Sequence, residues 1–340
     1  MLNIDLFDFE LPEELIAQYP VPKREMARLL VLHKKTGVIE HRVFKDIILY
    51  FKEGDLLILN KTKVIKARLY GRRDDTGGKL EFLVTRIFEE RRFEALAKPG
   101  RRAKQGVKIR IGKDILLEIK EITEGKRIVE IKHGPEIYTL LDKYGKVPLP
   151  PYIKREPREE DEEWYQTVFA EIPGSIAAPT AGLHFTQEIL TQLKQKGVLI
   201  EYILLHVSTG TFKPIKTKDI TQHKMDAEYY EIPERVLENI VKMKQSKGRL
   251  IACGTTTVRA LESWGYDNTR SKGWTSLFIY PGYSFKVVDG MVTNFHLPKS
   301  TPLLMVSALA GRENIMKAYK EAVALKYRFF SYGDAMLIIP

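Results

Sequence analysis

Four of the seven histidines in this 340-residue chain lie beyond residue 180, each inside a short run of small and polar residues almost free of charge. His184 stands in Pro179-Thr180-Ala181-Gly182-Leu183-His184-Phe185, and His206 opens His206-Val207-Ser208-Thr209-Gly210-Thr211-Phe212. His223 begins His223-Lys224-Met225-Asp226-Ala227-Glu228, and His296 sits in Thr293-Asn294-Phe295-His296-Leu297-Pro298. Solvated loops are rich in Lys, Glu and Asp, while core strands lack clusters of His, Asn and Thr. Runs that are neither suit the lining of a cleft, where backbone and a few polar groups approach a ligand closely. An imidazole titrates near neutrality, at about pH 6.5, so the chemistry on offer is general acid–base work. Any one of these histidines alone also fits a half-buried structural role. Four such segments in one half of the chain point to an enzyme site.

A second constellation is Gly254-Thr255-Thr256-Thr257-Val258-Arg259, which follows an apolar run and opens a helix. Small residues there expose backbone N–H groups to an anion such as a carboxylate or phosphate, and Arg259, one turn in, could add a bidentate contact. The plainer alternative is a Thr-capped helix with a surface arginine. Near the C-terminus, Tyr327-Arg328-Phe329-Phe330-Ser331-Tyr332-Gly333-Asp334 sets aromatics that could stack on a nucleobase beside Asp334, a partner for ribose hydroxyls or an ammonium. Those aromatics equally suit a hydrophobic core. No Gly-x-Gly-x-x-Gly loop, Gly-Lys-Ser/Thr phosphate loop or Gly-x-Ser-x-Gly elbow is present, which argues against common nucleotide-cofactor, methyltransferase and hydrolase sites. His223 and Glu228 stand five apart and no His-x-x-x-His or Cys-x-x-Cys pair occurs, so no metal is expected.

The elements that must hold these groups divide the chain in two. Residues 61 to 110 contain 16 Lys and Arg against 6 Asp and Glu, nearly the whole of the net charge of +11. A basic field this local is the footprint expected for a phosphate backbone. From Val64 onward, short partly alternating runs (64–70, 80–88, 107–111, 115–119 and 127–131) are separated by turn signals such as Asp75-Thr76-Gly77-Gly78 and Gly112-Lys113-Asp114. That spacing predicts a small antiparallel β-barrel or sandwich. Pro148, Pro150 and Pro151 mark its return, and the six acids among residues 156 to 163 read as a solvated loop or helix start. The rest alternates strand-like and helical stretches, with a short helix start also read at 12–19 and a strand at 276–280. The fold class expected is a layered α/β domain (residues 1–62 and 151–340) with a small antiparallel β-barrel (63–150) inserted into it. No run approaches the ~20 apolar residues of a membrane span, and a single cysteine, Cys253, excludes intramolecular disulfides and cysteine-rich metal sites. A cytoplasmic monomer without membrane attachment is the default expectation.

The motifs also carry a resemblance. The run from Pro179 to Thr186, His206-Val207-x-x-Gly210-Thr211-Phe212 and Gly254-Thr255-Thr256-x-Val258-Arg259-x-Leu261-Glu262-Ser263 resemble one family, in order. So do Thr293-Asn294-Phe295-His296-Leu297-Pro298-x-Ser300-Thr301, Tyr327 to Met336 and, near the N-terminus, Asn60-x-Thr62-Lys63-Val64-Ile65-x-Ala67-Arg68-Leu69. That family is the S-adenosylmethionine:tRNA ribosyltransferase-isomerases of queuosine biosynthesis. The resemblance implies transfer and isomerisation of the ribosyl part of S-adenosylmethionine onto 7-aminomethyl-7-deazaguanine at the tRNA wobble position. Epoxyqueuosine forms, adenine and methionine leave, and S-adenosylmethionine is a cosubstrate needing no metal. Three positions depart from the pattern: Lys61 stands where Asp is usual, Asp226 where a histidine is usual, and Ser208 where glycine is often found.

On this reading the catalytic candidates are His184, His206, His296 and Glu228. The cosubstrate falls to Thr255, Thr256, Arg259, Asn294, Tyr332 and Asp334, and the tRNA to Arg72, Arg73, Arg91, Arg92, Arg101 and Arg102. An RNA-binding module without catalysis explains the basic segment but leaves the second-half motifs idle. A methyltransferase is the competing enzyme class.

Overall fold

The computed structural model describes residues 2–208, 215 and 217–340. Its centre is a nine-stranded mixed sheet running in the order Lys272–Thr275, Glu228–Glu231, Leu199–Leu205, Leu56–Asn60, Leu250–Cys253, Gly290–Asn294, Ala335–Ile339, Arg28–His33 and Ile39–Val43. The middle strands read as unbroken apolar runs (Leu56-Leu57-Ile58-Leu59, Leu250-Ile251-Ala252-Cys253, Ala335-Met336-Leu337-Ile338-Ile339) and are buried along their length. Such strands need cover on both faces, as parallel sheets do. One face packs against the helices Glu234–Gln245, Thr255–Tyr266, Thr301–Ala310 and Arg312–Ala324, and the other against Gln187–Gln195 and the turn Phe44–Tyr50.

Leu199–Leu205, Leu56–Asn60, Leu250–Cys253 and Gly290–Asn294 are mutually parallel. Their carboxyl ends therefore lie at one edge of the sheet, where ligands bind in open α/β folds. Ala335–Ile339 runs antiparallel to Gly290–Asn294 and pairs Ala335 with Asn294. That register returns the segment just before Ala335 to the same edge.

The second unit is a closed barrel of six strands, all antiparallel: Arg68–Arg73, Lys79–Glu89, Arg92–Lys98, Lys108–Ile111, Ile115–Thr123 and Lys126–His133. Its interior is filled by alternating side chains such as Leu69, Phe82, Phe93, Ile109, Leu117 and Val129. The barrel lies between Thr62–Val64 and Ile172–Ser175, which pair in parallel at its root. The inserted barrel and layered α/β unit read from the sequence are thus both present. Among the described residues no helix is long and apolar enough to cross a membrane.

Three local expectations are corrected. Residues 12–19 hold only a single 3-10 turn, Glu13–Leu15, because Pro20 and the docking of Ile16 beside Phe329 stop a helix. The strand read at 276–280 falls instead at Lys272–Thr275, where pairing with Glu228–Glu231 decides the matter. The acidic run opens the short helix Asp161–Trp164, as the helix-start reading has it, but is not wholly solvated. Asp161 is fully buried, accepting from both Arg155 Nη atoms (2.6 and 2.7 Å), from Arg158 N and from Tyr332 Oη at 2.8 Å.

Glu262, on the inner face of the helix Thr255–Tyr266, illustrates how the long loop after Thr275 is fixed. Its fully buried carboxylate accepts from the backbone N–H groups of Lys286, Val287 and Val288 at 2.8–3.0 Å and from Tyr283 Oη at 3.0 Å. Glu262→Gln keeps the shape but turns an NH2 toward backbone N–H donors. It is expected to cost about 2–3 kcal/mol, read as a lower urea midpoint at unchanged slope. A midpoint equal to the wild type would show that the loop is held by other contacts.

Candidate active site

At the carboxyl edge of the parallel strands lies a cleft, a space of about 820 Å³ counted out to open solvent. Four separate stretches converge on it: Ala178 to Ala181, Gly254 to Thr256, Thr293 to Pro298, and Phe330 with Ser331. Gly254 supplies the entry to the helix Thr255–Tyr266. Its φ of +87° is a conformation that favours glycine, and it caps the helix without any side-chain hydrogen bond. The first N–H groups of that helix and its positive dipole end thus border the cleft, suited to an anionic group. Asn60, at the end of its strand, braces this region: its amide bonds both backbone groups of Leu205 (2.9 and 3.1 Å) and reaches Thr256 Oγ1 at 3.4 Å.

His296 forms part of the cleft wall. Its Nε2 lies 2.7 Å from Thr293 Oγ1, and its backbone N–H donates to Tyr319 Oη at 3.0 Å. Burial pushes its pKa down to about 3, so the ring is neutral at pH 7. Asn294, next to it in the wall, donates from Nδ2 to His184 Nε2 and to Phe330 O, both at 3.1 Å. Its buried Oδ1 has no partner among the described residues. His184 therefore stands behind the cleft, buried, with its ring 5.0 Å from that of Phe44. Desolvation first, and the charges of Arg24 and Arg328 second, lower its pKa to about 3.

Beside these groups the Tyr152 ring stacks on Phe330 with centroids 4.3 Å apart, and Tyr152 Oη lies 2.5 Å from Ser331 Oγ. Phe330 has a φ of +71°, a left-handed backbone that non-glycine residues seldom adopt. Asn294 holds it there from one side, and the pairing of Phe330 N with Phe295 O at 3.0 Å from the other. Strain retained at a cleft wall is a mark of a functional position. Beyond Ser331 lies a second cavity of about 980 Å³, lined by Pro20, Arg24, Trp164, His184 and Tyr332 among others. Ser331 borders both.

The comparisons agree with one another. A family described as "Queuosine biosynthesis protein" matches residues 4–338. The chain is 54% identical over 338 residues to the S-adenosylmethionine:tRNA ribosyltransferase-isomerase of Sulfurihydrogenibium sp. (strain YO3AOP1), covering 99% of this chain and all of that one. It is also 54% identical over 339 residues to the enzyme of the same name from Thermoanaerobacter sp. (strain X514), covering 98% of each. The chain belongs to the S-adenosylmethionine:tRNA ribosyltransferase-isomerase family. A crystal structure of S-adenosylmethionine tRNA ribosyltransferase from Thermotoga maritima, 39% identical, aligns with a TM-score of 0.57 over 98% of this chain and 100% of that chain.

For a member of this ribosyltransferase-isomerase family, the residues chosen from sequence fall into distinct places. Thr255, Thr256, Asn294 and His296 line the cleft, His184 stands one layer behind it, and Tyr332 borders the second cavity. His206 does not line it. Its Nδ1 lies 2.8 Å from Thr62 Oγ1, its ring covers Gly174, and burial lowers its pKa, so it clasps the barrel root. The run Thr209 to Phe212 of its motif lies outside the described residues.

Glu228 and Arg259 form a buried ion pair, and Arg259, whose Nε has no partner among the described residues, also borders with Thr255 and Thr256 a small cavity beside the cleft. Arg259 Nη1 donates to Glu228 Oε2, its Nη2 donates to Thr275 O at 3.2 Å, and Glu228 Oε1 accepts from Ser208 N at 2.8 Å. Both side chains are buried. Arg259→Ala is therefore expected to take an ion-pair partner from a buried carboxylate and to destabilise the fold by about 3–5 kcal/mol. A melting temperature matching the wild type, with binding of S-adenosylmethionine lost, would restore the direct-clamp role.

Asp334 is likewise buried, and its carboxylate accepts from Arg28 N and Nε (3.0 and 3.1 Å) and Arg328 N (2.8 Å).

The six barrel arginines fall at two ends of one strand. Arg91 and Arg92 lie at the start of the strand Arg92–Lys98, whereas the turn Gly100–Arg102 follows its far end. Arg72 pairs with Lys79, and Arg73 Nη1 reaches Arg102 O at 3.5 Å, so Arg72, Arg73, Arg101 and Arg102 share that far end.

Sequence reasoning left Tyr152, Phe330 and Ser331 out of the site. The aromatic run around Phe330 was a signal. Tyr152, beside a proline-rich junction, gave none.

Proposed function

We propose that the enzyme transfers the ribosyl moiety of S-adenosylmethionine to the 7-aminomethyl-7-deazaguanine of a tRNA wobble position and isomerises it to epoxyqueuosine, with adenine and methionine released. The observation that carries this reading is the convergence of four motif segments on one cleft at the N-terminal end of the helix Thr255–Tyr266, which has no side-chain cap bond. The relatives' names supply the cosubstrate and the tRNA. The cosubstrate is a sulfonium, already an activated electrophile, so the site has three tasks. It must orient the ribose against the base, move protons, and hold charge as it develops.

In this scheme the helix end receives the methionine carboxylate, and Thr255, Thr256 and Asn294 fix the rest of the cosubstrate. His296, neutral in the resting cleft, takes a proton from the reacting amine or ribose carbon and returns it to departing adenine. His184 orients Asn294 from behind. The barrel, taken as residues 63–150, holds tRNA phosphates, and the chain works as a cytoplasmic monomer on tRNA.

Precursor tRNA incubated with ribose-labelled S-adenosylmethionine should gain label and release adenine, while methyl-labelled cosubstrate should transfer none. Methyl label in the RNA would replace this reading by a methyltransferase.

A further inference from the structure

An aromatic and basic cluster lies where the barrel meets the edge of the large sheet, outside every residue assigned above. Trp274 is on Lys272–Thr275, the last strand of that sheet, and is 56% exposed. The Arg86 guanidinium of the barrel lies 4.7 Å from its ring centroid and 5.1 Å from that of Phe88, itself 41% exposed. Tyr229 pairs directly with Trp274 across the strands and meets its ring edge-on at 5.8 Å. Arg86 has no ion pair among the described residues, so its charge is left to an outside anion.

None of these side chains belongs to the buried core of either unit. Exposed rings gathered beside an uncompensated guanidinium are how proteins hold single-stranded nucleic acid: a base stacks on the ring and the cation meets the phosphate. The cluster is also close to the cleft along the chain. His206 N donates to Tyr229 O at 3.1 Å and Val207 lines the cleft, while Thr275, beside Trp274, holds Arg259 through its carbonyl.

We propose that Trp274, Phe88 and Tyr229, with Arg86, form a stacking platform for an unpaired nucleotide of the RNA substrate neighbouring the one that enters the cleft. This rests on the tRNA-directed activity proposed above. The platform reads no base edge, so it tolerates any nucleobase and discriminates single-stranded from paired RNA.

The test uses the full-length enzyme with an anticodon stem-loop RNA carrying the precursor base. Trp274→Ala and Arg86→Ala should each raise KM for the RNA by about 5- to 100-fold, the range of one lost base–aromatic stack. KM for S-adenosylmethionine and the melting temperature should stay near wild type. Trp274→Phe should keep most of the RNA affinity while losing the tryptophan quenching that the RNA produces. Ribose transfer with unchanged RNA KM in Trp274→Ala overturns the platform, and is also the result expected of a surface built for a protein partner. A rise in both KM values with a lower melting temperature overturns it too, leaving the cluster as a fastening between barrel and sheet. If the wild type transfers no ribose, the activity reading fails by itself. Quenching by the stem-loop, absent in Trp274→Phe, then retains the platform, and no quenching ends it.

Discussion

His296→Ala is expected to lower kcat by roughly 10²- to 10⁴-fold, the range for a lost acid–base group, with little change in melting temperature. The expectation follows from position: the ring lines the cleft, and its side-chain hydrogen bond among the described residues is to Thr293 of the same wall. His184→Ala should behave differently. It removes a buried ring packed on Phe44 and leaves Asn294 Nδ2 with one acceptor fewer, so it should lower the melting temperature as well as kcat. His184→Gln, which can still accept from Asn294, should recover part of kcat.

The pH dependence separates these roles further. Both histidines have folded pKa values near 3, below the ordinary 6.5. Below pH 6.5 the unfolded chain therefore binds protons that the folded one refuses, so stability falls as pH drops from about 6.5 toward 3. The same depression means that kcat/KM should show no histidine limb near 6.5. Such a limb, removed by His296→Ala, would mean that the free cleft holds this ring in a more solvated state than its burial implies. If His296→Ala instead melts early and turns over normally, His296 is a structural residue and the proton work lies elsewhere.

Much of this arrangement was legible because period and punctuation agreed. Turn signals such as Asp75-Thr76-Gly77-Gly78 separated short alternating runs, and the structure closes them into a barrel. Continuous apolar runs at Leu29–Leu32 and Leu250–Cys253 became buried sheet strands. What failed was whatever depends on distance. Arg259 and Glu228 look like free site charges in a sequence, and only folding shows that 31 positions of separation bring them together as a buried pair. Asp334 and Asp161 were equally opaque, since their arginine partners lie 306 and 6 positions away and spacing favours neither. Tyr152 reaches the cleft only because Ser331 and Phe330 return to the same sheet edge. The net charge is legible as local, but its placement is not: strand direction splits Arg91 and Arg92 from the rest.

That split makes the electrostatic prediction sharper. Arg101 and Arg102 are exposed and make no ion pair among the described residues, and Arg72 donates only to Gly77 O at 3.1 Å. Arg73 is paired with Asp75 at 2.5 Å, which neutralises part of its charge. Together with Lys79, Lys98 and Arg110 they surround an open groove of about 1620 Å³ or adjoin its rim. Arg91, at the other end, already donates to Ile131 O and Gly134 O, at 3.2 and 3.1 Å, and serves the local turn. Each phosphate contact releases condensed counterions and contributes about 0.7 to 0.9 to the log–log salt slope of binding. Arg101→Ala with Arg102→Ala should thus flatten the slope for tRNA by about 1.4 to 1.8. Adding Arg72→Ala and Arg73→Ala should weaken tRNA binding by roughly 10²-fold at moderate salt, with S-adenosylmethionine affinity unchanged. Arg91→Ala with Arg92→Ala should flatten the slope by at most about one contact's worth. Equal slopes for both double variants would return the six arginines to a single face. No change in the fourfold variant would remove the barrel's far end from the RNA interface and leave the Arg86 side of the barrel as the surface that meets tRNA.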